Sequence, residues 1–293
     1  MLMLINQITD LYNVDSDISG KCPLCTHPTN NCSGSCSKCL EEIHWGPKQN
    51  ERLKYNCNRL IQCYTKRYIN PYYQNIKHAC EDIDLSKYSV FNILSIGCGA
   101  SPDLMAFEKI AGGKDITYNG IDENPNWSDI QEVTTKYASN SNSIQVNYEQ
   151  RDIFDSIQTE PSNIYNVVIL QFFISSVLSS GGNEKQIIDI FKTIADKPLL
   201  RWKSSVLNTP FLLMLNDVDS MNKGRNTFFR LIDILEEKGY TGKAYAKSSH
   251  NTGDLGEGRW SIRKNQQGYG NIAYEYSSCV CNNSACLVIE VVK

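Results

Sequence analysis

Ile93–Asp103 reads ILSIGCGASPD, and this short stretch decides the fold. A buried strand, Phe91–Ile96, delivers the chain into Gly97 and Gly99. A side chain at either place would block a ligand or forbid the backbone angles that the turn needs. A helix over Asp103–Ile110 follows at once. Working outward, the same alternation repeats. Ile116–Ile121 reads as a second strand, with a helix from about Asn126 to Ala138 behind it. Ser143–Tyr148 is a third strand, and Asn166–Phe173 (NVVILQFF) an apolar fourth. A helix over Glu184–Ala195 leads to a fifth strand, Phe211–Leu215. The helix Phe228–Lys238 then stops at Gly239, a natural C-terminal cap. Strands alternating with helices predict a parallel sheet covered on both faces. From Tyr240 the pattern turns to antiparallel strands: Lys243–Ser248, a hairpin region near Trp260–Tyr276, and Ala285–Val292.

A glycine pair alone is weak evidence, because dinucleotide-binding folds use a related loop. Two acids sharpen it. Asp122 ends the second strand, where a carboxylate can accept both hydroxyls of a ribose. Asp152 follows the third strand, placed to meet an adenine amino group. Ser101 and Pro102 stand where pyrophosphate binding usually wants a third glycine, and no basic residue is ready for a phosphate. The loop therefore favours a nucleoside without phosphates. Taken singly, an acid that opens a loop is often only a turn residue. The ordered set carries the weight.

With these residues in view, 90–293 resembles the class I S-adenosylmethionine-dependent methyltransferases. The resemblance implies a Rossmann-like, seven-stranded, mostly parallel sheet with an antiparallel C-terminal hairpin. It also implies S-adenosylmethionine as cofactor. Gly97, Cys98 and Gly99 would lie against the cofactor's amino-acid part, Asp122 against its ribose, and Asp152 with Ile153 against its adenine. Gln171 and Phe172 would face the cofactor and the methyl acceptor. Two positions depart from the family pattern. The acid common in the first strand is Ser95 here, which leaves Asp103 or water to hold the cofactor's amino group. The Asn/Asp-Pro-Pro-aromatic motif of enzymes that methylate exocyclic amines is replaced by QFFI, which counts against that chemistry.

The N-terminal part reads differently. Residues 1–46 hold five of the twelve cysteines within eighteen positions, Cys22 to Cys39. Cys22/Cys25 and Cys36/Cys39 form two Cys-x-x-Cys knuckles, a pattern that closes a tetrahedral structural Zn2+ site. His27, Cys32 and His44 are further candidate ligands. A metal would order a segment too poor in apolar residues to order itself. Cys32, Cys36 and Cys39 also match the three-thiolate spacing of radical S-adenosylmethionine enzymes, but no apolar strand precedes Cys32 and that reading leaves the glycine loop unexplained. Cys57, Cys63 and Cys80 fall among apolar helical positions and read as core residues.

Residues 47–89 form a third region. Over 47–80 there are seven Lys or Arg against one acid, Glu51, and five tyrosines. Leu53, Cys57, Leu60, Ile61, Tyr64 and Tyr68 recur at helical spacing, which predicts a helix ending near Pro71 and a shorter one after it. Tyr64, Tyr68, Tyr72 and Tyr73 are candidates to line a lid over the cofactor, the alternative being aromatic packing on the sheet. Arg67 or Lys66 would suit an anionic acceptor. A basic, tyrosine-rich helix beside a zinc module places RNA among the expected acceptors, with a small molecule or a protein side chain also open. The net charge of −3 excludes a protein coated in positive charge for non-specific nucleic-acid binding. No apolar run reaches the roughly 20 residues of a membrane-spanning helix. No Lys or Arg precedes Lys21 to mark a secretory leader, so a cytoplasmic location is expected. The rival to an active enzyme is a regulatory protein that binds cofactor and zinc without transferring a methyl group. No residue reads as a catalytic acid, base or nucleophile.

Overall fold

The computed structural model describes residues 4–11, 36, 39–40, 57–156, 163–179, 181–218, 227–248, 261–265 and 284–293. Among the described residues α1 (Leu4–Leu11) comes first, and α2 (Asn58–Ala79) leads to the sheet. The α/β unit then runs β1 (Val90–Ile96), α3 (Pro102–Ile110), β2 (Asp115–Asp122), α4 (Ser128–Ser139) and β3 (Ile144–Gln150). It continues through α5 (Ile153–Ser156), β4 (Val167–Gln171), α6 (Phe173–Ser179), α7 (Glu184–Asp196) and α8 (Pro198–Ser204). The last elements are β5 (Phe211–Val218), α9 (Thr227–Glu237), β6 (Thr241–Ser248), β7 (Ser261–Asn265) and β8 (Ser284–Val292).

Among the described residues the strands form one sheet in the order β3-β2-β1-β4-β5-β8-β6-β7. The five strands from β3 to β5 are parallel, and β8 enters antiparallel between β5 and β6. This is the expected Rossmann-like architecture, a mostly parallel sheet with β8 reversed between β5 and β6, and β7 adds an eighth strand at the edge. One edge differs from expectation. Ser261–Asn265 pairs parallel with β6, whereas the sequence predicts an antiparallel hairpin around Trp260–Tyr276. Trp260 and the rest of that hairpin lie outside the described residues.

Strands buried on both faces explain the unbroken apolar runs of β1, β4 and β5. One face packs in a core that joins Ile93, Val167, Ile169, Leu212 and Met214 to Leu4, Ile5 and Ile8 of α1 and to Ile61, Ile69, Tyr73 and Ile76 of α2. The other face packs Leu94, Val168, Leu213 and Leu215 against α7, α8 and α9. The helices that precede β1 thus share the main core.

The largest correction concerns α2. The sequence predicts a break at Pro71, yet the helix runs through it without interruption to Ala79. A proline inside a helix removes one hydrogen bond and crowds the preceding turn. Here packing outweighs that cost, because Ile69, Pro71, Tyr73 and Ile76 are all buried on both sides of the expected break.

Candidate functional site

The carboxyl ends of β1, β2, β4 and β5 meet beneath α2, and the turn after β1 explains the glycines. Gly97 and Gly99 both have positive φ, +68° and +49°. The Gly97 and Cys98 amides donate to the Ile121 carbonyl at 2.8 and 3.1 Å, which fastens the turn to the end of β2. A Cβ on Gly97 would sit 2.9 Å from a ring carbon of Phe173. Ser101 also has positive φ, and its hydroxyl lies 2.9 Å from that of Tyr148.

Asp122 completes this turn. One carboxylate oxygen accepts from the Gly99 amide at 2.9 Å, the other from the Asn124 amide at 2.9 Å. Burial pushes its pKa up to about 6, against the opposing pull of those two amides. Asp103 is fully buried and accepts from the Tyr118 hydroxyl at 2.9 Å, with the Ser95 hydroxyl beside it. Burial raises its pKa too. Asp103 stands in the first turn of α3. Burial also drives the Cys98 thiol well above its ordinary value, and the nearby Asp122 and Asp103 add to the rise, which disfavours the thiolate.

Asp152 is exposed, and its carboxylate accepts from the Phe154 amide at 2.8 Å, a local turn that starts α5. Ile153 beside it is buried. Gln171 ends β4, and its amide nitrogen donates to the Tyr72 carbonyl of α2 at 2.9 Å. Phe172 does not continue the strand. Its φ of +53° turns its ring onto Tyr72, with centroids 4.0 Å apart and stacked. A bulky residue in that region carries strain, and such strain gathers at functional sites.

The tyrosines of α2 form a ladder. Tyr72 stacks on Tyr68 at 5.5 Å, Tyr68 meets Tyr64 at 4.9 Å, and Tyr64 meets Trp127 edge-on at 5.7 Å. Burial drives the Tyr64 phenol above its ordinary range. A hydrogen bond to Tyr72 opposes the rise, while Tyr68, Asp122 and Asp217 add to it. Tyr64 thus stands near both the acid that ends β2 and the acid in β5. Tyr73, expected beside the others, lies in the core instead. Truncating Tyr72→Ala removes two stacked contacts, each contributing about 0.5–1.5 kcal/mol. Chemical denaturation is expected to show a loss of about 1–3 kcal/mol, and a change below ~0.5 kcal/mol would mean that the stack contributes nothing.

Sequence reasoning passed over the end of β5. Asp217 is buried, accepts from the Ser175 and Val218 amides at 3.0 and 2.7 Å, and is pushed up to about 6 by burial. Asn216 beside it is 1% exposed. A polar pair closing an apolar strand (FLLMLND) was the available signal.

Of the expected zinc ligands, Cys22 and Cys25 lie outside the described residues, as do His27, Cys32 and His44. Cys36 is buried and Cys39 partly so. They pack with Leu40, Cys57, Leu60 and Cys63 in a small cluster against α2. Among the described residues no three His, Cys, Asp or Glu side chains gather as a metal site. Cys57, Cys63 and Cys80 are core residues, as the sequence implies. No described helix is long and apolar enough to cross a membrane.

No protein family matches the sequence, and no curated protein does. Several solved structures are similar. The plantazolicin methyltransferase BpumL, in complex with SAH, is 12% identical with a TM-score of 0.45, and the match covers 99% of each chain. A SAM-dependent methyltransferase from Leishmania major is 10% identical with a TM-score of 0.43, over 89% of this chain and 84% of that one. The human methyltransferase 10 domain containing protein is 12% identical with a TM-score of 0.41, over 88% and 93%. These neighbours are methyltransferases. Likenesses this distant carry no weight for the chemistry of this chain, which has to be argued from its own residues.

Proposed function

We propose that this chain is an S-adenosylmethionine-dependent methyltransferase whose N-terminal cysteine segment binds Zn2+. The observation that supports it most is the contact between Asp122 and the Gly99 amide, 23 residues apart in sequence. A carboxylate at the end of β2, tied to a two-glycine turn after β1, is what a ribose beside an amino-acid tail requires. The residues fit the cofactor on this point, since Gly97 and Gly99 give the turn its positive φ and let it close beneath Asp122, with Phe173 and Trp127 packed where their Cβ atoms would stand.

In this reading Gly97, Cys98 and Gly99 hold the amino-acid part, Asp122 the ribose, and Asp152 with Ile153 the adenine. Gln171 and Phe172 face the reacting centre. When bound, the cofactor supplies an electrophilic methyl group on a sulfonium. The chain's own contribution is alignment and exclusion of water. The aromatic ladder of α2 provides a dry wall, and the buried Asp217 stands near it as a carboxylate able to take a proton around neutral pH. The acceptor belongs to the site between α2 and the ends of β4 and β5.

Calorimetric titration with S-adenosylhomocysteine tests the cofactor half. Micromolar affinity and one site per chain are the expected result, and absence of binding would overturn the proposal. Incorporation of labelled methyl from the cofactor then separates an enzyme from a binding protein.

For zinc, Cys36 and Cys39 would supply two thiolates and Cys22 and Cys25 the other two. Elemental analysis of the purified chain should find one zinc per chain. Cys36→Ser should lower that content and release the N-terminal segment to proteolysis. Unchanged zinc content in the variant would sink the four-cysteine site.

A further inference from the structure

Asn216 and Gln171 are partners in the register of β4 and β5, at the carboxyl ends of both strands. Alternation along β5 puts Asn216 on the face of Leu212 and Met214, which pack in the core shared with α2. Gln171 is on the same face, since its nitrogen reaches the Tyr72 carbonyl. Neither amide atom of Asn216 has a hydrogen-bond partner among the described residues, and neither does the Gln171 oxygen. Asn75, one turn along α2 from Tyr72, is 0% exposed and likewise has both amide atoms unpartnered among them. Leaving buried polar atoms unmet costs about 1–3 kcal/mol each, so a fold does not collect them without use. Beside them stands the stack of Tyr68, Tyr72 and Phe172, with Phe172 held at a strained φ.

We infer that this is a recognition site for a nucleobase: the Asn216 and Gln171 amides read a donor–acceptor edge while the ring stacks on the Tyr72–Phe172 aromatics. A carboxamide offers a donor and an acceptor side by side, which matches the edge of a base. Stacking on aromatic rings is how unpaired bases are held. The exposed Lys66 and Arg67, with the Arg67 guanidinium 5.5 Å over the Tyr68 ring, lie on the same helix and suit a phosphate backbone. The inference rests on the cofactor reading above and names the acceptor class for that site.

The test uses the full chain saturated with S-adenosylhomocysteine, titrated with each free nucleoside and with a short single-stranded RNA of mixed sequence. Binding of a nucleoside, or of RNA alone, is expected, the second outcome identifying a polymer as the source of the base. Asn216→Leu, close in volume, should weaken that binding about tenfold or more, with the melting temperature and the affinity for S-adenosylhomocysteine unchanged. A fall in melting temperature would mean that Asn216 is satisfied within the fold, and the inference would fail. It fails also when S-adenosylhomocysteine binds but neither nucleosides nor RNA do, or when Asn216→Leu leaves their binding intact. Failure of S-adenosylhomocysteine itself to bind overturns the cofactor reading first.

Discussion

Asp122→Ala is expected to weaken S-adenosylhomocysteine binding by more than about 100-fold, the largest single effect on the site. Hydrogen bonds to a charged group contribute about 1.5–3 kcal/mol each, and a ribose offers two hydroxyls. The substitution also frees the Gly99 and Asn124 amides that Asp122 now holds, loosening the turn itself. Asp122→Asn keeps the shape but not the charge, and should fall between the two. A loss below about fivefold for the alanine variant would remove Asp122 from the site.

The same residue sets a pH dependence. Its pKa rises on folding from 3.8 to about 6 because the charged form is buried. The folded state therefore binds the proton more tightly than the unfolded one. Its contribution to stability is full below the ordinary value and is lost as pH rises through about 6. Asp217 acts in the same sense. Ligand binding should run the other way, since ribose hydroxyls donate best to a carboxylate. Affinity should grow from pH 5 to 7, and the Asp122→Asn variant should flatten that profile.

Gly97→Ala is expected to cost the most stability among single changes in the turn. Two penalties combine there. An L-residue at φ of +68° is strained by about 1–2 kcal/mol. The new Cβ would also meet the Phe173 ring at 2.9 Å, and such overpacking costs about 1–3 kcal/mol more. Gly112 separates the two, because its φ is +64° and nothing lies within 4 Å of its Cβ position. Urea denaturation should show Gly112→Ala losing about 1–2 kcal/mol and Gly97→Ala about 2–5 kcal/mol. Equal losses would mean that Phe173 moves aside freely, and the close approach of the turn to α6 would not matter.

Much of the fold was legible in the sequence, because its signals are local. The strand before Gly97, the helix after it and the cap at Gly239 follow from hydrophobic period and glycine chemistry. The sequence also singled out Asp122, whose place at the end of a strand is a matter of chain order. What it hid depends on contacts between distant segments. Pro71 reads as a helix end until its burial is known, and only the tertiary core shows why the helix continues. Tyr64, Tyr68, Tyr72 and Tyr73 are alike in sequence, yet three form the ladder and one lies in the core. Asn216 looks like a polar residue leaving a strand, while in fact β5 runs on to Val218 and keeps it inside. Asp152 could be placed after β3, but not its capture by the Phe154 amide.

The roof of the site is fixed to the building. Helix α2 sends Ile69, Tyr73 and Ile76 into the core that the sheet also uses, and Gln171 ties its backbone to β4. Such a helix is no swinging door, because lifting it would expose that core to water. A ligand that binds beneath this helix would then have to displace the rings of Tyr64, Tyr68 and Tyr72 rather than the helix itself. The backbone should then look much the same with a ligand present or absent.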